Sequence, residues 1–110
     1  MINSNELRLG NWVLLDWENS YMRVNSNTLS YINRSEKLGK KHPFKPITLT
    51  EEILLRCGFE KKEGLFVLNN VVIWSRNDIF NYEGLKYIKS LHQLQNLYFA
   101  LNNQELNIEL

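Results

Sequence analysis

The sequence predicts an α+β domain: a mostly antiparallel β-sheet or meander, with two helices at about 49–57 and 91–102 covering one face. Three observations predict it. Short apolar runs are separated by turn pairs such as Glu63-Gly64 and Asn69-Asn70, as expected of hairpins. Two segments, Thr48 to Glu51 and Ser90 to Gln93, carry the residues of a helix start. The chain has 110 residues, which suits a single domain spanning 1–110 with one core.

The elements follow in order. Asn11–Leu15 and Tyr21–Val24 read as strands joined through the polar connector Asp16 to Ser20. Thr28–Ile32 reads as a third, half-exposed strand, since Leu29 and Tyr31 alternate with Ser30. Residues 33–45 show no period and no apolar cluster, which predicts a basic, mobile loop. Thr48 is placed to cap the backbone N–H of Glu51, with Glu51 reaching back, and Glu51 and Glu52 suit the electropositive first turn. Gly58 is the expected left-handed exit of this short helix.

A meander is expected next. Its strands are Phe59–Lys62, Leu65–Leu68, Val71–Ser75, Ile79–Tyr82 and Leu85–Ile88. The runs 65–68 and 71–74 are apolar on both faces, which predicts covered central strands with Trp74 in the core beside Trp12. Ser90 and Gln93 form a second capping box. Leu91, Leu94, Tyr98 and Leu101 make an apolar stripe, with Gln93, Gln95, Asn96 and Asn102 mostly facing away. Asn103 is the expected left-handed exit, and Glu105–Leu110 alternates as a closing strand.

Three segments together resemble a known group. They are Glu6-Leu7-Arg8-Leu9-Gly10-Asn11-Trp12, Pro46 to Leu55 with Gly58-Phe59, and Leu91 to Leu101 with Glu105-Leu106. The pattern is similar to a family of small uncharacterised proteins of phages, prophages and mobile elements of Bacteroidetes, and it spans nearly the whole chain. The resemblance implies a phage-type accessory protein and transfers no catalytic residue. Position 48 is Thr where that pattern often has proline, and the basic stretch 34–45 has no clear counterpart in it.

Composition narrows the function classes. One cysteine, Cys57, excludes an internal disulfide framework and a cysteine-rich zinc site. The N-terminus lacks signal-peptide regions and no apolar run approaches a membrane span. A cytoplasmic protein without membrane association is therefore expected, and the resemblance implies that the cell is a bacterial host. Net charge is +1, yet Arg34, Lys37, Lys40, Lys41 and Lys45 stand against Glu36 alone, a local +4.

No metal or cofactor site and no catalytic group is expected. His42 and His92 are distant in sequence and neither begins a ligand spacing. Cys57 reads as a small buried thiol. None of the five glycines builds a phosphate-cradling loop. The binding candidates are Arg34, Lys37, Lys40, Lys41 and Lys45, with Tyr31 and Phe44 at their borders as stacking rings and Trp17 as an exposed anchor. The competing reading is a solvated loop of ordinary lysines.

The expected function is non-catalytic macromolecular binding, with the chain an inhibitor of a bacterial defence system of anti-CRISPR type. By class-level analogy its partner is a host nuclease effector, a ribonucleoprotein or its guide RNA, or another single-stranded nucleic acid. The alternative is a structural or housekeeping phage protein, such as a homodimer, with no nucleic-acid role.

Overall fold

The computed structural model describes residues 2–83 and 86–110, with the backbone alone at Lys86. The fold class is α+β, with antiparallel sheets of three and five strands and three α-helices. Where the sequence predicts one sheet, the chain forms two, one in each of two compact units, 1–47 and 48–110.

The N-terminal unit opens with a 3-10 turn, Ser4–Glu6, followed by strands β1 (Trp12–Leu15) and β2 (Ser20–Arg23). These form the expected hairpin, with Trp12 opposite Arg23 and Leu15 opposite Ser20. The expected strand over Thr28–Ile32 is instead part of helix α1, Ser26–Lys37. Asn25 caps it, accepting from Thr28 N–H at 2.9 Å, while Thr28 Oγ1 accepts from Asn25 N–H at 3.4 Å. Its buried positions are Thr28, Ile32 and Ser35, one helical face with two polar members, so alternation around Tyr31 misreads the period.

The expected mobile loop over 33–45 is largely regular structure. Its first five residues complete α1, and its last two form β3 (Phe44–Lys45), which pairs antiparallel with β1. Between them lies a Schellman exit. Gly39 N–H donates to Glu36 O at 3.1 Å and Lys40 N–H to Ser35 O at 2.8 Å. Gly39 has φ +66, a backbone region that costs other residues strain. The sheet order is β2-β1-β3. Its inner face and α1 bury Val13, Phe44 and Ile32, joined by Ile2, Leu7 and Val24.

In the C-terminal unit, α2 spans Glu51–Arg56 and its cap is Thr50, which accepts from Ile53 N–H at 3.2 Å. Thr48, expected as the cap, instead forms a β-bridge with Ser90. Both threonines offer the same hydroxyl, and backbone pairing of 48–49 with 89–90 decides between them. The expected Gly58 exit is present, with φ +97.

The meander is β4 (Glu60–Lys62), β5 (Leu65–Leu68), β6 (Val71–Arg76), β7 (Ile79–Tyr82) and β8 (Lys86–Ile88), paired antiparallel in that order. The expected turn residue Gly84 and strand residue Leu85 lie outside the described residues. Asn19, Asn69, Asn77 and Asn103 take positive φ, which is where the chain's asparagine richness has a structural use.

Helix α3, Leu91–Asn102, starts with the expected Ser90–Gln93 capping box and ends at Asn103 with φ 53. Its buried face holds Leu91, His92, Leu94, Gln95 and Tyr98, so Gln95 faces inward and Leu101 is exposed, both against expectation. Residues 105–110 form no strand, although Leu106 and Ile108 are buried. Alternation there reports which side chains are covered, but those residues gain no ladder partner.

The five-stranded sheet has two unlike faces. Phe66, Val71, Ile73, Phe80 and Ile88 are buried on one, with Phe66 and Phe80 edge to face at 6.2 Å. Leu65, Val67, Val72 and Trp74 lie on the other, half-buried or exposed. Trp74, expected in the core, is 54% exposed, and Trp12 is only partly buried. Strand β4 bears Glu60, Lys61 and Lys62, all exposed, and such charge discourages edge-to-edge pairing.

Candidate functional site

The predicted binding residues all fall in the N-terminal unit, and local structure sorts them. Arg34 and Lys37 occupy the last turn of α1, where positive charge complements the helix dipole. Lys40 and Lys41 follow the Schellman exit, and all four are exposed. Glu36, the only acid of the stretch, has its carboxylate engaged by Ser4 N–H at 2.6 Å. Among the described residues, none of these four cations has a carboxylate partner. The cluster is thus a net positive surface around one helix end.

Lys45 differs. Its Nζ lies 3.3 Å from Asp16 Oδ2, both about half exposed, a geometry worth little in stability. Asp16 N–H also donates to Pro43 O at 2.9 Å. These two contacts bring the β1–β2 turn against 43–45, so Trp17, 77% exposed at that turn, stands near Lys45. The structure therefore joins Trp17 with the end of the basic stretch, which sequence distance does not suggest.

Phe44 drops out as a stacking ring. It is buried in the core, with Tyr31 edge-on at 5.9 Å. Tyr31 remains 46% exposed and is the better placed of the two. Beneath them lies His42, which sequence reasoning places in a loop and the structure buries. Phe44 N–H donates to His42 Nδ1 at 3.3 Å, so Nε2 carries the hydrogen and donates to Ile2 O at 2.9 Å. The neutral ring satisfies both bonds and pins the N-terminal segment to 42–44. It is a structural histidine.

Sequence reasoning misses a second exposed constellation on the sheets themselves. In the N-terminal unit, Trp12, Leu14, Tyr21, Arg23 and Lys45 share the outer face, and the Arg23 guanidinium sits 5.2 Å over the Trp12 ring. In the C-terminal unit, Trp74, Ile79 and Tyr87 are exposed on the outer face. The signal that was available is the apolar character of 65–68 and 71–74 on both faces, which fits an uncovered binding face as well as a covered strand.

Cys57, His42 and His92, the nucleophile and ligand types named in the sequence, are all buried. Cys57 is 5% exposed, and burial pushes its thiol from an ordinary 9.0 up to about 12. A thiol so held stays protonated at neutral pH, and the thiolate is the reactive form. Two outcomes follow. Thiol reagents label Cys57 in denatured protein and leave it largely unlabelled in folded protein over the same time. The stabilising effect of keeping the thiol neutral is complete below pH 9 and is lost as pH rises toward 12, because the unfolded state ionises first. Urea titrations at stepped alkaline pH measure the second effect.

His92 is buried and forms part of the α3 interior face. Among the described residues, no group of three His, Cys, Asp or Glu side chains is placed to hold a metal, and no helix is long and apolar enough to cross a membrane. A shallow depression lined by Ser4, Leu29, Ser30 and Asn33 contains no titratable side chain.

Fold and surface together define a small α+β protein whose sheets and one helix end display aromatic and basic side chains to solvent. Compared with known proteins, the chain matches no family model, no curated protein and no solved structure.

Proposed function

We propose that the protein is a non-catalytic, phage-type binding protein that inhibits a bacterial defence system by engaging a nuclease effector ribonucleoprotein. The observation that carries the binding reading is the cation cluster Arg34, Lys37, Lys40 and Lys41 at the end of α1, none with a carboxylate partner among the described residues. Trp17, 77% exposed, stands at the β1–β2 turn beside Asp16, the ion-pair partner of Lys45. Cations without counter-charges release condensed counterions when they meet a phosphate backbone. An exposed tryptophan buries large area at small entropic cost. The choice of a defence effector rests on the resemblance to phage and mobile-element accessory proteins.

The experiment is capture from a bacterial host lysate on the tagged protein. Recovery of one nuclease effector complex is expected. The Lys40→Glu, Lys41→Glu double variant should reduce that recovery about tenfold or more. Raising salt from about 50 mM to about 200 mM should weaken it steeply. Recovery of the bait alone would favour the structural or housekeeping alternative.

A further inference from the structure

We infer that the outer face of the five-stranded sheet is a stacking platform for single-stranded polynucleotide, centred on Trp74 and Tyr87. The ladder fixes the arrangement. Lys62 pairs with Leu65, Leu65 with Trp74, Trp74 with Asn81, and Asn81 with Tyr87. Directly opposed residues share a face, so these five form one row across all five strands. At the usual strand spacing the row is about 19 Å long, and its two rings lie about 10 Å apart with an amide between them.

Each part has a matching chemistry. Trp74 is 54% exposed and Tyr87 43% exposed, large rings that folding leaves uncovered. Base–aromatic stacking tolerates any base because every base has a π-face. Asn81 between the rings can donate to and accept from base edges. Cations stand at both ends of the row: Lys62 on β4, and Lys89, whose Nζ lies 5.3 Å from the Tyr87 ring centroid. Arg76 shares the face two residues further along β6, opposite Ile79.

The acids are accounted for. Glu60 is on this face and is partnered by Lys62 at 3.8 Å, while Glu63, Asp78 and Glu83 sit at hairpin turns beyond the row. Arg23 lies over the ring of Trp12 as Lys89 lies over that of Tyr87. The Trp74 side chain has no ring, ion or hydrogen-bond contact among the described residues. A strand of bases crossing the row would cover Trp74 and Tyr87 while its phosphates meet Lys89 and Arg76.

The inference is independent of the effector reading, because its residues belong to the C-terminal unit and those of the α1 cluster to the N-terminal unit. The test is fluorescence anisotropy of dye-labelled oligouridine, oligothymidine and a duplex control, each about 12 nucleotides long. The wild-type chain is expected to bind both single strands more tightly than duplex and to show quenched tryptophan emission. Tighter binding of oligouridine than of oligothymidine assigns RNA through its 2′-hydroxyls, and equal binding assigns stacking and phosphate contacts common to both.

Trp74→Ala and Tyr87→Ala should each weaken binding about tenfold or more. Trp74→Phe should retain most of it. Circular dichroism checks that each variant is folded; if Trp74→Ala is not, Tyr87→Ala and the quenching decide. Unchanged affinity in the ring variants overturns the inference. So does equal affinity for duplex, or a flat titration at low salt up to about 100 µM protein.

Discussion

Phe66→Ala is expected to destabilise the C-terminal unit by about 3–5 kcal/mol, the range for deleting a buried phenyl ring. Phe66 is 0% exposed, sits on the inner face of β5, and holds Phe80 edge to face at 6.2 Å. Its removal loses the transfer free energy of the ring, the aromatic pair and the contacts of a cavity that neighbouring Ile73 and Val71 cannot fill without distorting their strand. Small domains have roughly 5–15 kcal/mol in total, so this variant should be marginally folded or unfolded.

The informative comparison is Trp74→Ala, one strand away on the opposite face. Trp74 is the larger side chain, yet 54% of it already meets water, and its truncation should cost under about 1 kcal/mol. Urea denaturation followed by far-ultraviolet circular dichroism gives both values. Equal losses would mean that the two sheet faces are equally covered, and the stacking platform would lose its structural premise.

That pair of residues also shows what the sequence can and cannot disclose. The meander was legible nearly to the residue, because Glu63-Gly64 and Asn69-Asn70 fix turns and the intervening runs are rich in β-branched and aromatic residues. Helix α3 was legible at both ends, where Ser90 and Gln93 form a reciprocal cap and Asn103 takes the left-handed exit. What was hidden is which face of an evenly apolar strand is covered. Phe66 and Trp74 look alike in the linear pattern, and only their burial in the folded unit separates them.

Among the candidate binding residues, the free cations were legible because exposure is the default for lysine. The burial of Phe44 and His42 was not. It depends on pairing with β1 and on a carbonyl at Ile2, forty residues away along the chain. The Schellman exit was readable in principle, since Arg34 and Lys37 followed by Gly39 is the pattern of a helix C-terminus. It was obscured because the helix before it lacks an apolar stripe.

Ile32→Ala turns that last point into a measurement. In α1 the inward positions are Thr28, Ile32 and Ser35, and Ile32 is the only large apolar side chain of the helix that is fully covered, at 0% exposure. Two of the three inward groups contribute little apolar area, so the attachment of the helix to the sheet rests mainly on Ile32 against Val13 and Phe44. Alanine there should cost about 2–5 kcal/mol, at the upper part of that range because Thr28 and Ser35 cannot move in to fill the space.

Tyr31→Ala supplies the opposing test. As a strand, residues 28–32 would bury Leu29 and Tyr31 together and turn Ile32 outward, since successive side chains alternate. As a helix, Tyr31 is 46% exposed and makes one edge contact with Phe44. Its truncation should then cost about 1 kcal/mol, the aromatic-pair value. Thermal denaturation of the two variants distinguishes the two arrangements. A loss that is large for Ile32 and small for Tyr31 requires the helical period, and the reverse order would return this segment to the sheet and remove the helix end on which Arg34, Lys37, Lys40 and Lys41 are displayed.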